Sequence, residues 1–249
     1  MPDVVPLLRR TPTLRQVSQR LPFFHTRWNE AYGWRAAGAL ATLSASLFAF
    51  AYLAEDYVTD DPLVRWDARF NRWLNDEAWE PLVRLFEAVT LAGNSLFLFA
   101  LTGAAVALSL SRGDRPDALL LSSAFVGAET LNIVLKLGFE RPRPPFHDPQ
   151  LAVSTFSFPS GHASASVAVY GAFAIVLLRS MTRWTHRAIV VSTLAVLLAL
   201  IGFSRIYLGA HYFSDVLAGY SVGAGWLAFC VLAITVQQGR QHGLYRPVR

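Results

Sequence analysis

Apolar residues fall in long runs separated by short polar stretches: Ala36 to Ala54, Val89 to Leu110, Ala118 to Leu135, Ala163 to Leu178, Ala188 to Phe203 and Val216 to Val236. Runs of this length suit a helix crossing a bilayer core, and no alternating period marks a strand. The pattern predicts an all-α polytopic membrane bundle of six transmembrane helices, the fifth the shortest unless it extends toward Leu208. Between the first two runs, Leu63, Trp66, Phe70 and Trp73 recur at three- and four-residue steps with Arg65, Asp67, Arg69 and Arg72 among them. That spacing predicts an amphipathic interfacial helix, either packed over the end of the bundle or forming a lip through which a lipid gains access. The resulting organisation is a basic leader over 1–35, a six-span domain over 36–236 and a tail over 237–249. The leader is too long and too polar for a cleaved secretory signal, so the first run is read as a retained span; Leu14, Val17 and Leu21 hint at a short surface helix within it.

Composition agrees with this reading: 53% of residues are hydrophobic, 16% are charged, and mean hydropathy is +0.35. An ordinary water-soluble domain is excluded. The net charge of +5 does not call for nucleic acid, because the basic residues are scattered over short segments between apolar runs and form no basic face. Cys230, the single cysteine, lies inside an apolar run, which excludes a disulfide framework and a thiolate metal cluster. The arginines carry topological information. With the leader inside, the inner segments hold Arg9, Arg10, Arg15, Arg20, Arg27 and Arg35, then Arg112 and Arg115, then Arg179, Arg183 and Arg187, then Arg240, Arg246 and Arg249. The first outer segment is acidic instead, with Glu55, Asp56, Asp60, Asp61, Asp76, Glu77 and Glu80. The positive-inside rule then predicts a multi-pass protein of the cell (inner) membrane with both termini cytoplasmic.

Topology brings the polar motifs to one membrane face. The third span runs outward to Lys136, followed by Arg143-Pro144; the fourth starts outside at Pro159-Ser160-Gly161-His162; the fifth runs outward to Ser204-Arg205; the sixth starts near His211 and Asp215. Lys136 is the only lysine in the chain. Basic residues near hydrocarbon depth are expensive, so several gathered there point to a function. Pro159 in a first helical turn would leave the backbone N–H groups of Ser160 and Gly161 aimed out of the helix end, an anion-binding arrangement. Three cations around such an end fit a multiply charged oxyanion, and phosphate in particular. The four-residue spacing of His211 and Asp215 places them on one helix face. The carboxylate can then take the Nδ1–H and leave Nε2 as an outward lone pair. One histidine could attack phosphorus while the other protonates the leaving oxygen. Zinc is the rival reading of two histidines and an acid, but a shell of three cations would repel a dication.

Lys136 to Pro144, Pro159 to His162, and Ser204-Arg205 through His211 to Asp215 together resemble the three-part signature of the type 2 phosphatidic acid phosphatase superfamily, in its six-span membrane branch. Bacterial undecaprenyl pyrophosphate and phosphatidylglycerol phosphate phosphatases belong to that branch. The resemblance implies that Lys136, Arg143 and Arg205 hold the phosphate with Ser160 and Gly161, that His211 is the nucleophile forming a phosphohistidine, that His162 is the general acid, and that Asp215 orients His211. It implies a metal-independent hydrolase with no cofactor, acting on a membrane lipid phosphate or diphosphate in the bilayer, at the extracytoplasmic face. Undecaprenyl diphosphate is the first candidate there, with phosphatidylglycerol phosphate, phosphatidic acid and lipid A phosphates behind it. A lipid phosphotransferase sharing this site and a non-enzymatic lipid transporter or binder remain as alternatives.

Overall fold

A computed structural model of the chain describes residues 30–145 and 155–241. The leader before residue 30, including its hint of a surface helix, and the tail beyond residue 241 lie outside the described residues. Among the described residues there are eight α-helices and no strand: α1 Glu30–Thr59, α2 Pro62–Asp76, α3 Glu80–Thr90, α4 Ser95–Ser111, α5 Arg115–Phe139, α6 Gly161–Ser180, α7 Trp184–Tyr207 and α8 Phe213–Gln241. Five of them contain segments long and apolar enough to cross a membrane, and α7 does reach past Phe203.

The expected second span is not one straight helix. α3 and α4 form a pair bent by 42° around the 3-10 turn Leu91–Gly93, and only together do they count as a sixth crossing. The break has a local cause. The Asn94 side chain accepts a hydrogen bond from the Leu96 N–H at 2.9 Å and so caps a new helix within the apolar run. Gly93 lets this turn press on the bundle, since a Cβ there would meet Ile201, Ser166 and His162.

α2 meets the bundle through a face that mixes polar and apolar residues. Its buried residues are Asp67, Asn71 and Leu74, whereas Trp66 and Trp73 are 40% and 57% exposed. Asp67 and Asn71 face the bundle while Arg65, Arg69 and Arg72 stay exposed, and two tryptophans of the aromatic stripe face outward, as suits a membrane interface. Phe70 links the two sides, stacked on Trp66 and edge-on to Phe213 of α8.

α6 is the central helix. Ala163, Ser164, Ala165, Ser166, Ala168 and Ala172 are buried along it. Its neighbour α8 approaches almost backbone to backbone, because side chains at Gly219 and Gly223 would strike the Ser160 and Ser164 carbonyls. In lipid no hydrophobic force draws helices together, so small residues that permit close van der Waals contact supply the attachment. This contact fixes the start of α6 against the first turn of α8, where the polar motifs meet.

Candidate active site

The cluster is assembled from four helix ends. Lys136, buried in the last turn of α5, donates through Nζ to the carbonyls of Phe156 and Ser157. α5 stops at Glu140, which adopts a left-handed conformation (φ 48°), and the chain passes through Arg141 to Arg143 before the 155–160 segment returns. Arg143 donates Nε–H to the Thr155 carbonyl at 2.8 Å and an NH1 proton to the Ala210 carbonyl at 2.7 Å. Asn132 anchors the returning segment by donating to the Pro159 carbonyl at 3.2 Å.

His211 sits in the α7–α8 turn, almost fully buried, with its Nε2 3.3 Å from Arg143 NH1. A guanidinium can only donate, so Nε2 is an acceptor and the ring proton belongs on Nδ1. Nδ1 lies 3.4 Å from Ser157 Oγ and 3.6 Å from Asp215 Oδ2, while the Ser157 hydroxyl donates to that same carboxylate oxygen. The bond expected to run straight from His211 to Asp215 is therefore relayed through Ser157. Burial first, then the charges of Lys136, Arg143 and Arg205, hold His211 well below the usual histidine range. A neutral imidazole with a free lone pair toward the cations is the consequence.

Asp215 is held rigidly. It accepts from Arg141 NH1 at 2.6 Å and from the Tyr212 N–H at 2.8 Å. Arg141 also reaches Asp67 of α2 at 3.2 Å, and its guanidinium lies 5.0 Å and 4.3 Å from the Tyr57 and Tyr212 ring centroids. Asp67 in turn accepts from the Ser214 N–H at 3.2 Å, and Asn71 of α2 donates to the His211 carbonyl at 3.2 Å. The inward polar stripe of α2 thus braces the turn that carries the histidine.

On the other side, Arg205 donates NH1–H to Thr90 Oγ1 at 2.8 Å, and its Nε is buried with no hydrogen-bond partner among the described residues. Arg205 and His162 line a cavity of about 520 Å³ with Arg84, Glu87, Thr90 and Asn94 from the bent α3–α4 pair. An orphaned buried guanidinium donor beside two histidines suits an oxyanion. The donor set does not suit a divalent cation, since Asp215 is the one carboxylate on His211 and is already committed to Arg141.

One expected anion donor is otherwise employed. α6 starts at Gly161, with Ser160 as N-cap and Pro159 ahead of the helix instead of in its first turn. The Ser160 N–H donates to the Asp215 carbonyl at 2.9 Å, which removes it from the site, and the Ser160 hydroxyl accepts from the Ala163 N–H. The Gly161 amide is left at the helix end, where the dipole favours an anion.

The PAP2 superfamily model matches residues 117–238, a stretch that contains the whole cluster apart from its α2 and α3 supports. Phosphatidylglycerophosphatase B of Bacillus subtilis is 36% identical over 152 residues, covering 61% of this chain and 70% of that protein. The chain belongs to the PAP2 superfamily. Lipid A 1-phosphatase of Rhizobium johnstonii is 34% identical over 115 residues, 43% of either chain. The crystal structure of a transmembrane PAP2 type phosphatidylglycerolphosphate phosphatase from Bacillus subtilis superimposes with a TM-score of 0.69 at 30% identity, covering 82% of this chain and 98% of that one. The all-helical bundle is thus the transmembrane PAP2 fold. Within it, Ser157, Arg141 and Asp67 are the site components that sequence reasoning passed over. Ser157 and Arg141 sit next to recognised motifs, but Asp67 looked like an ordinary polar position of an interfacial helix.

Proposed function

We infer that this protein is a lipid phosphatase of the PAP2 type whose chemistry runs through a phosphohistidine on His211. The observation that carries the reading is the state of His211: Nε2 is a lone pair beside Arg143, and Nδ1 is tied through Ser157 to Asp215. Lys136, Arg143, Arg205 and the Gly161 amide surround the position that a phosphoryl group would take. In the first step Nε2 attacks phosphorus, the bond from phosphorus to the leaving oxygen breaks, and His162 gives that oxygen its proton. In the second step water loses a proton to His162 and attacks phosphorus, and the electron pair of the P–N bond returns to Nε2 as inorganic phosphate departs. The cations favour both transition states, because charge builds on the equatorial oxygens they face.

The substrate we propose is a lipid whose phosphate reaches the helix ends while its tail stays among the spans. Tail contact at about 0.8 kcal/mol per buried CH₂ makes even four methylenes worth roughly two orders of magnitude in affinity. The names of the Bacillus subtilis relative and of the superimposed crystal structure move the expected headgroup from undecaprenyl diphosphate toward phosphatidylglycerol phosphate. The site faces the extracytoplasmic side in this reading, supported by Arg112, Arg115, Arg179, Arg183 and Arg187, which all lie near the opposite ends of their helices.

A panel assay of purified protein in detergent, with free phosphate as readout, tests the proposal. Phosphatidylglycerol phosphate should be hydrolysed faster than undecaprenyl diphosphate, phosphatidic acid or a soluble ester, chelator should leave the rate unchanged, and vanadate should inhibit. A soluble ester hydrolysed as well as every lipid would defeat the substrate assignment. Activity lost in EDTA and restored by zinc or magnesium would defeat the mechanism.

A further inference from the structure

The end of the bundle away from the histidines holds a second cationic cavity. It has a volume of about 330 Å³ and takes Arg35 from α1, Arg179 from α6, Arg187 from α7 and Gln238 from α8, with aliphatic side chains such as Leu120 and Ile234 behind them. The helix directions fix its place, since α6 runs from His162 at the catalytic end to Arg179 at the other. Arg179 pairs with Asp117 of α5. Arg187 is held against the end of α6, donating Nε–H to the Met181 carbonyl at 2.9 Å and an NH2 proton to the Leu178 carbonyl at 3.2 Å. Among the described residues, three guanidinium groups therefore meet one carboxylate, which leaves an excess of positive charge there.

Depth is marked independently. Trp34, beside Arg35, and Trp184, which starts α7, are each 78% exposed. Tryptophans placed this way on a membrane bundle sit at headgroup level. The cavity thus offers guanidinium forks at its mouth and an apolar wall within, the arrangement expected for an anion that carries a hydrocarbon tail.

We propose that this cavity binds the phosphate headgroup of an anionic membrane lipid from the leaflet opposite the catalytic cluster. The occupant is a resident lipid and not a substrate, because among the described residues no histidine, cysteine or carboxylate lines the cavity, and its one hydroxyl, on Thr235, donates to the Val231 carbonyl with no base beside it. The lipid-binding inference itself stands apart from the phosphatase reading, which enters only the fold control and the inorganic-phosphate arm of the test.

The test is native mass spectrometry of the full chain released from nanodiscs of equal phosphatidylglycerol and phosphatidylcholine. The wild type should retain phosphatidylglycerol and no phosphatidylcholine. In Arg35→Gln/Arg187→Gln, retention should fall roughly thirtyfold, as for two cations lost near a membrane surface. Arg112→Gln/Arg115→Gln, which removes charge from the same end outside the cavity, should keep wild-type retention, as should Arg143→Gln at the catalytic end. Hydrolysis of a soluble ester, unchanged in Arg35→Gln/Arg187→Gln, certifies its fold; should that variant not fold, Arg35→Gln alone should still lower retention severalfold. Inorganic phosphate should bind the wild type and Arg35→Gln/Arg187→Gln alike, through the catalytic cluster only. Equal loss in the Arg112/Arg115 control, equal retention of phosphatidylcholine, or unchanged retention in the cavity variants would overturn the proposal. Phosphate binding that disappears with Arg35 and Arg187 while lipid retention persists would overturn it in favour of a soluble anion.

Discussion

His211 owes its behaviour to two neighbours that act in opposite senses. Arg143 keeps Nε2 from holding a proton, and Ser157 gives the Nδ1 proton a place to go. Ser157→Ala should lower kcat by roughly ten- to a hundredfold with little change in KM, because Asp215 at 3.6 Å is beyond a good hydrogen bond without the intervening hydroxyl. Ser157→Thr should recover part of the loss, which a merely structural role would not predict. Asp215→Asn should cost more, about four orders of magnitude by the tautomer argument known from serine proteases. The pH profile is a second check. Because His211 is depressed well below 6.5, its acid limb in kcat/KM lies well under that value, and a slower Arg143→Gln enzyme should show the limb moved upward as one cation that opposes protonation is removed. The four-residue spacing was enough to bring Asp215 near His211, 3.6 Å away. It could not tell that a hydroxyl from before the proline enters between them, because that contact depends on how the 155–160 segment folds back.

At the scale of elements, the bracing role of α2 explains why an interfacial helix carries a buried acid, Asp67. Arg141 joins Asp67 to Asp215 with all three side chains nearly excluded from solvent. Arg141→Met would leave two buried carboxylates facing each other, and the measured stability in detergent should fall by roughly 3 to 5 kcal/mol. Trp66→Ser/Trp73→Ser, on the outward face, should instead raise KM for lipid and leave a soluble ester unaffected. The periodicity at Leu63, Trp66, Phe70 and Trp73 was enough to predict this helix, but not that Leu63 and Phe70 pack on the bundle while Trp66 and Trp73 stay exposed. In a membrane both faces have a favourable solvent, so periodicity alone does not say which is inside. The bend between α3 and α4 was hidden for a similar reason, as Gly93-Asn94-Ser95 interrupts a mostly apolar run by only three residues.

Over the whole molecule, hydropathy and charge placement made the bundle and its order of spans readable from the chain. Long apolar runs have one stable outcome in lipid. What stayed unreadable was tertiary: that Arg141 braces Asp67 and Asp215, in a stretch where Arg141 and Arg143 both precede a proline. Orientation is testable on the intact cell. With Cys230→Ser as background, Glu77→Cys should react with an impermeant thiol reagent from outside and Arg183→Cys should not; the reverse pattern would invert the topology. The mechanism itself rests on a P–N bond at His211. Brief mixing of the purified enzyme with a lipid substrate radiolabelled at its terminal phosphate, followed by quenching in base, should trap label on the protein that is stable to alkali, released by acid and absent from His211→Ala. Turnover with no such label in the wild type, or label that persists in His211→Ala, would contradict the account.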